Sequence, residues 1–212
     1  MKPPSDNQAR PPDDLELIRR CQADAGKEFE ERFGELYHAY KDRVYNVAYR
    51  ITGNSTDALD ASQETFAILF RKIRDFRFQS KFSSWVYRIA VNASIDLCRR
   101  TSSRGIASLD AMSEDPQESR DARASLPEDG HAVRPRAAAE RSELSSDVQV
   151  AIQRLSPKLR TIIVLRYLEN LSYEEVAEVL NCSIGTVKSR LARAHAALEP
   201  LLMRVCERHL RP

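Results

Sequence analysis

Thr186, Lys188, Ser189, Arg190 and Arg193 put two hydroxyls and three cations into one short stretch. Such a set can do one kind of chemistry, which is to donate hydrogen bonds to phosphate oxygens and to the edges of bases. Lys188, Arg190 and Arg193 are all the charges between Asn181 and His195, and Glu174, Glu175 and Glu178 precede them. A solvated helix face would also be charged, but that change of sign favours a polyanion partner.

A second cluster lies upstream. Residues 71–100 hold eight basic side chains against Asp75 and Asp96, a net charge of +6, interleaved with Phe76, Phe78, Phe82, Trp85 and Tyr87. Cations that follow a backbone, mixed with rings that stack on unpaired bases, bind single strands. Phe82 and Trp85 taken singly read as core packing. Phe78, Gln79, Ser80, Lys81 and Phe82 are expected to form a pocket for one extruded base. Arg88, Asn92, Asp96 and Arg99 make a polar stripe beside it, and Asn and Arg suit bidentate base contacts.

A third group, Asp60, Gln63 and Glu64, shares one helix face and joins Asp57 in an acidic patch. It would repel DNA and fits a protein partner. Paired carboxylates also serve acid–base catalysis, but no His, Cys or Gly-rich phosphate loop accompanies these. The expectation is a protein that is not an enzyme and takes no cofactor, metal or small-molecule substrate.

Helices must position all three groups. Ser172 and Glu175 form a capping box with Leu171 and Val176 as staple. Tyr173, Val176, Ala177 and Leu180 then give one apolar face, and Asn181 suits a left-handed stop. Ser183 caps a second short helix with the stripe Val187, Leu191, Ala194 and Leu198, completing a helix-turn-helix. Ser156-Pro157 starts the helix before it, with serine as cap. Upstream, helices are predicted after Asp13-Asp14, then through Phe29, Phe33, Leu36, Tyr37, Tyr40, Val44 and Val47 as core, then from near Thr56 to Phe76, then from about Ser83 to Arg100.

The 212 residues carry a net charge of +2, so nucleic-acid affinity must come from local patches. Cys21, Cys98, Cys182 and Cys206 are scattered, which argues against a disulfide framework or zinc site and for inert thiols. No signal peptide or membrane span is read, so a cytoplasmic location is expected. From residue 101 to Asp147 there is no Phe, Trp or Tyr, and ten acidic residues face six basic ones, a net of −4. Such a stretch buries too little apolar surface to fold alone. The fold class expected is all-α: two small helical domains, 13–100 and 147–212, joined by a flexible acidic linker, 101–146, behind a disordered leader, 1–12.

DALDASQETF, then FRFQSKFSSWVYRIAVNASIDLCRR, then LSPKLRTIIVLRYLENLSYEEVAEVLNCSIGTVKSRLARAHAAL, in that order, resemble bacterial sigma-70 factors of the extracytoplasmic-function class. The resemblance covers roughly residues 14–100 and 147–200. It implies that the first domain is sigma region 2, which binds the β′ clamp helices of core RNA polymerase through Asp60, Gln63 and Glu64. It implies that Phe78, Gln79, Ser80, Lys81, Phe82, Arg88, Asn92 and Asp96 melt and read the −10 element. The second domain would be region 4, touching the β flap and reading the −35 element of promoter DNA through Thr186, Lys188, Ser189, Arg190 and Arg193. An anti-sigma factor, able to hold the chain at the inner membrane face, is the implied regulator. Leu59 stands where the family often has an acid, and Gln79 where glycine is frequent. Two other readings stay open on the residues alone: a stand-alone helix-turn-helix regulator, and an interaction module without DNA contact.

Overall fold

Phe29, Phe33, Leu36, Tyr40, Val44, Val47 and Ile51 recur at three- and four-residue spacing and form the buried face of α2 (Gly26–Thr52). The structure, a computed structural model, describes residues 14–109 and 135–209, and the side chains of 15–101 and 143–209. Before α2 comes α1 (Asp14–Ala23), and after it α3 (Ser55–Lys72), a 3-10 turn (Ile73–Asp75) and α4 (Phe82–Leu109). Gly53 ends α2 in the left-handed conformation, φ 87°, and returns its N–H to Tyr49 O. Asn54 then caps α3 by accepting from the Asp57 N–H at 2.7 Å. Tyr37 departs from the expected core: it is 41% exposed and meets Phe66 edge-on.

The second half holds α5 (Pro135–Gln153), α6 (Pro157–Ile163), a π turn (Val164–Leu168), α7 (Tyr173–Val179) and α8 (Ile184–His209). Among the described residues no strand occurs, and the fold is all-α. The capping box forms in full, with Ser172 N donating to Glu175 Oε2 at 2.8 Å and Glu175 N to Ser172 Oγ at 3.2 Å. Asn181 takes φ 47°, and Ser183 Oγ accepts from Thr186 N at 3.1 Å. Two expectations need correcting here. Ser156 precedes Pro157 but its side chain makes no cap bond. The second helix of the motif is not short: α8 runs 26 residues, past Pro200.

The 101–146 linker reading also changes at its ends, because α4 continues to Leu109 and α5 begins at Pro135. Extending a formed helix costs little per residue, and Ala137, Ala138, Ala139 and Glu140 are strong helix formers. The middle of that span and the 1–12 leader lie outside the described residues.

The two halves share one core. Val47, Ile51, Tyr87 and Val91 of the first cluster with Ile152, Leu155, Ile162, Leu165, Val176 and Leu191 of the second. A separate core in the first half unites Ile18, Cys21, Phe33, Leu36, Tyr40, Leu69, Ile73, Phe76, Phe82 and Val86. Arg160, only 8% exposed, locks the junction. Its guanidinium donates to Ile51 O near the end of α2, to Gln153 O at the end of α5 and to Leu155 O just beyond it. Helix C-termini carry partial negative charge, so these carbonyls accept a cation well. Gln153 Nε2 adds a bond to Arg50 O at 2.8 Å. A Cβ on Gly53 would stand 2.6 Å from the end of that glutamine side chain, which can swing aside, so it is the left-handed turn that requires glycine here.

Candidate nucleic-acid interface

The −35 candidates stand on the outer face of α8. Val187, Leu191, Ala194 and Leu198 are buried, which turns Lys188, Ser189 and Arg193 to solvent and leaves Thr186 and Arg190 half-exposed. Thr186 Oγ1 lies 2.9 Å from Ser183 Oγ, and Ser189 Oγ donates to Thr186 O at 3.1 Å. The first turn of α8 is therefore ordered by its own hydroxyls, while the cations extend beyond it.

The −10 candidates are brought together at the start of α4 but do not all face outward. Gln79, Lys81 and Asn92 are exposed; Phe78, Ser80, Arg88 and Asp96 are half-exposed. Phe82 is 4% exposed and packs against Tyr40 and Phe76, with ring centroids 5.5 and 5.3 Å away. It forms the floor of the loop and offers no ring face to a base, which corrects its place among the contact residues. Asp96 pairs with Arg99 one turn on. Phe78 has φ 55°, a conformation that costs a non-glycine residue about 1 kcal/mol and that the surrounding contacts must impose.

Two of these candidate cations are already engaged. Lys81 Nζ lies 2.6 Å from Glu175 Oε1, and Arg88 Nη2 donates to Glu178 O at 2.7 Å, so the acidic α7 covers part of this basic face. Beside them Tyr87 donates to Glu169 Oε2 at 2.8 Å. Burial, foremost, holds the Glu169 carboxyl above its ordinary range, and burial raises the Tyr87 phenol as well. The Lys81 pair is exposed and contributes at most about 1 kcal/mol. Buried apolar surface and Arg160 hold the halves together instead.

Asp60, Gln63 and Glu64 are all exposed on α3, in line with Leu59 and Phe70, themselves 52% and 44% exposed. This mixed acidic and apolar face points away from the buried Ala58, Ala61 and Leu69. Among the described residues no group of His, Cys, Asp or Glu could hold a metal ion, and no helix is long and apolar enough to cross a membrane. The four cysteines are free, and burial raises the Cys98 thiol and lifts that of Cys21 to about 11. Both are therefore poor thiolates.

Sequence reasoning missed two supporting residues, Arg160 at the junction of the halves and Gln22. Gln22 binds the backbone just before the 77–81 loop. Polar residues in amphipathic helices carry no mark of such partners.

Comparison with known proteins agrees with this layout. Residues 36–104 match the family described as Sigma-70 region 2, and residues 145–198 match Sigma-70, region 4. The chain is 34% identical over 191 residues to the ECF RNA polymerase sigma factor SigW of Bacillus subtilis (strain 168), covering 88% of this chain and 97% of that protein. It is 33% identical over 200 residues to the ECF RNA polymerase sigma-E factor of Escherichia coli (strain K12), covering 90% and 97%. CnrH, solved in complex with the cytosolic domain of CnrY, has the same fold at a TM-score of 0.61 and 24% identity, over 90% of this chain and 97% of that one. So has the sigma factor RpoE of Bartonella quintana, solved with the anti-sigma factor NepR, at a TM-score of 0.59 and 22% identity, over 82% and 98%.

Proposed function

Since the chain belongs to the sigma-70 family, as a sigma factor of the extracytoplasmic-function class, we propose that residues 13–100 bind polymerase and open the −10 element while 147–212 read the −35 element. It is a specificity subunit for transcription initiation and not an enzyme. Core RNA polymerase and promoter DNA are its partners, and by likeness to the structural neighbours an anti-sigma factor is a third. With those partners, its action belongs in the cytoplasm.

Asp60, Gln63 and Glu64 dock on the β′ clamp helices, where Leu59 adds apolar contact in place of an acid. Gln79, Lys81, Arg88 and Asn92, with Phe78 and Ser80, receive the unpaired −10 strand, and Asp96 orients Arg99 beside them. Thr186, Lys188, Ser189, Arg190 and Arg193 enter the −35 major groove. The observation that carries the −10 assignment is the engagement of Lys81 and Arg88 by α7: a carboxylate and a backbone carbonyl occupy the places that phosphate oxygens would take.

The docked halves also define the resting form. B-form DNA rises about 3.4 Å per base pair, so two promoter elements more than a few base pairs apart lie beyond the reach of one ion pair. Lys81 and Glu175 cannot remain in contact while both elements are held. Polymerase therefore separates the halves, and tethering on one scaffold makes two weak contacts act as one strong contact.

Run-off transcription with bacterial core polymerase on a promoter library tests this reading. Discrete transcripts are expected only with the protein present, and Asp60→Lys should abolish them by loss of core binding. Asp60→Lys co-purifying with core at the wild-type level would remove the α3 assignment. Tight duplex binding by the protein alone, without transcripts, would return the stand-alone regulator.

A further inference from the structure

Helix α1 grips the backbone from which the −10 loop springs. Gln22 Nε2 donates to Ile73 O at 2.9 Å and to Phe76 O at 2.8 Å, the two carbonyls that bracket the 3-10 turn. At the end of α1, Asp24 O accepts from Arg74 Nη2 at 2.9 Å. One turn before Gln22, the Arg19 guanidinium lies over the Phe78 ring, 5.6 Å from its centroid. Arg19 and Gln22 are three residues apart and share a helix face. Ile18 and Cys21, both fully buried, fix α1 in the same core as Phe76 and Phe82.

A carboxamide has two N–H donors in one plane, so Gln22 can set the distance between two carbonyls as few side chains can. Those carbonyls stand just before residues 77–81. Phe78 at φ 55° must be held by its surroundings, and the held ring is the one under Arg19. Recognition of one base needs its loop within a fraction of an ångström of the productive geometry, which a loop without a supporting shell does not keep.

We propose that Gln22 and Arg19 are positioning residues for −10 recognition: they set the geometry of the 77–81 loop and hence how sharply this chain discriminates the captured base. This rests on the reading of that loop as the −10 pocket.

The test is run-off transcription by full-length chain and core polymerase on promoters carrying each of the four bases at every −10 position. Wild type should separate best from worst base by about tenfold or more at one position, the size of a good base contact. Gln22→Ala and Gln22→Glu, the latter of equal length but without the paired donors, should compress that ratio several-fold. The −35 footprint and co-purification with core should stay unchanged. Arg19→Ala should compress it less, and Arg19→Lys should restore part of it. Arg19 is exposed, so its variants fold whatever Gln22→Ala does.

Unchanged ratios in both Gln22→Ala and Arg19→Ala would overturn the proposal. So would an equal loss for all four bases, which assigns the two residues to stability alone. If Gln79→Ala alters base preference while the α1 variants do not, only this proposal falls. If wild type ignores the −10 base altogether, the pocket reading falls and takes this proposal with it.

Discussion

Arg160 keeps a charge in the junction through three backbone carbonyls rather than a carboxylate. Burial lowers its pKa, yet guanidinium stays protonated. Arg160→Ala would strand those carbonyls and should cost about 3 kcal/mol of stability, measured by denaturant unfolding. Arg160→Lys should recover little, since a single ammonium cannot span the same three acceptors. Arg193 poses the opposite case, exposed and bonded only along its own helix, to Ser189 O. Arg193→Ala should leave stability within about 0.5 kcal/mol and core binding intact. It should weaken the −35 footprint; an unchanged footprint would remove Arg193 from the reading face. The exposure of Arg193 was legible because Val187, Leu191 and Ala194 mark the opposite, buried face of its helix. The long-range partners of Gln22 and Arg160 were not, because the carbonyls that tie them across the fold lie 51 and 109 residues away, and every residue type carries a carbonyl.

At the scale of the element, α7 and α8 follow local rules closely. The box of Ser172 and Glu175, the left-handed Asn181 and the Ser183 cap involve neighbours within a few residues, so the sequence alone predicts them. Ser172→Ala should cost about 1 kcal/mol. Because α7 packs on α8, the loss should also appear as faster hydrogen exchange at the start of α8, and no change there would show that the cap is redundant. The far end of α8 was not legible. It persists past Pro200 because Asp147 of α5 holds it, accepting from Arg208 at 2.8 Å and lying 2.8 Å from His209 Nε2. Tyr37 fits a core period yet lies on a side of α2 that α3 covers only in part, and periodicity cannot say how wide a face its neighbour covers.

For the whole molecule, the docked state makes two measurable claims. Labels placed on the two halves should move apart from near contact when core polymerase and promoter bind. No lengthening would mean that the shared core survives in the complex. Docking should also respond to pH through Glu169. Burial raises its pKa in the docked state, and separation returns it to the ordinary value near 4.5. The docked form thus holds the proton more tightly. Its Glu169 contribution is complete below the ordinary value and is lost as pH rises through the raised one. Mild acid should shift the population toward docking, and Glu169→Gln should favour docking and flatten the dependence; the same pH response in Glu169→Gln would place the proton elsewhere.

Sequence by itself determined the main helices, the caps at Ser172 and Ser183, the basic outer face of α8 and the acidic face of α3. These depend on residue spacing and on bonds between near neighbours. It also carried the family, through two motif blocks in one order. Only the tertiary structure decided that Phe82 is buried, that α1 bonds the backbone just before residues 77–81, and that α7 lies over Lys81 and Arg88. Each of those depends on which surfaces meet across many tens of residues. That choice is made by the total apolar area that can be buried at once, and no local pattern records it.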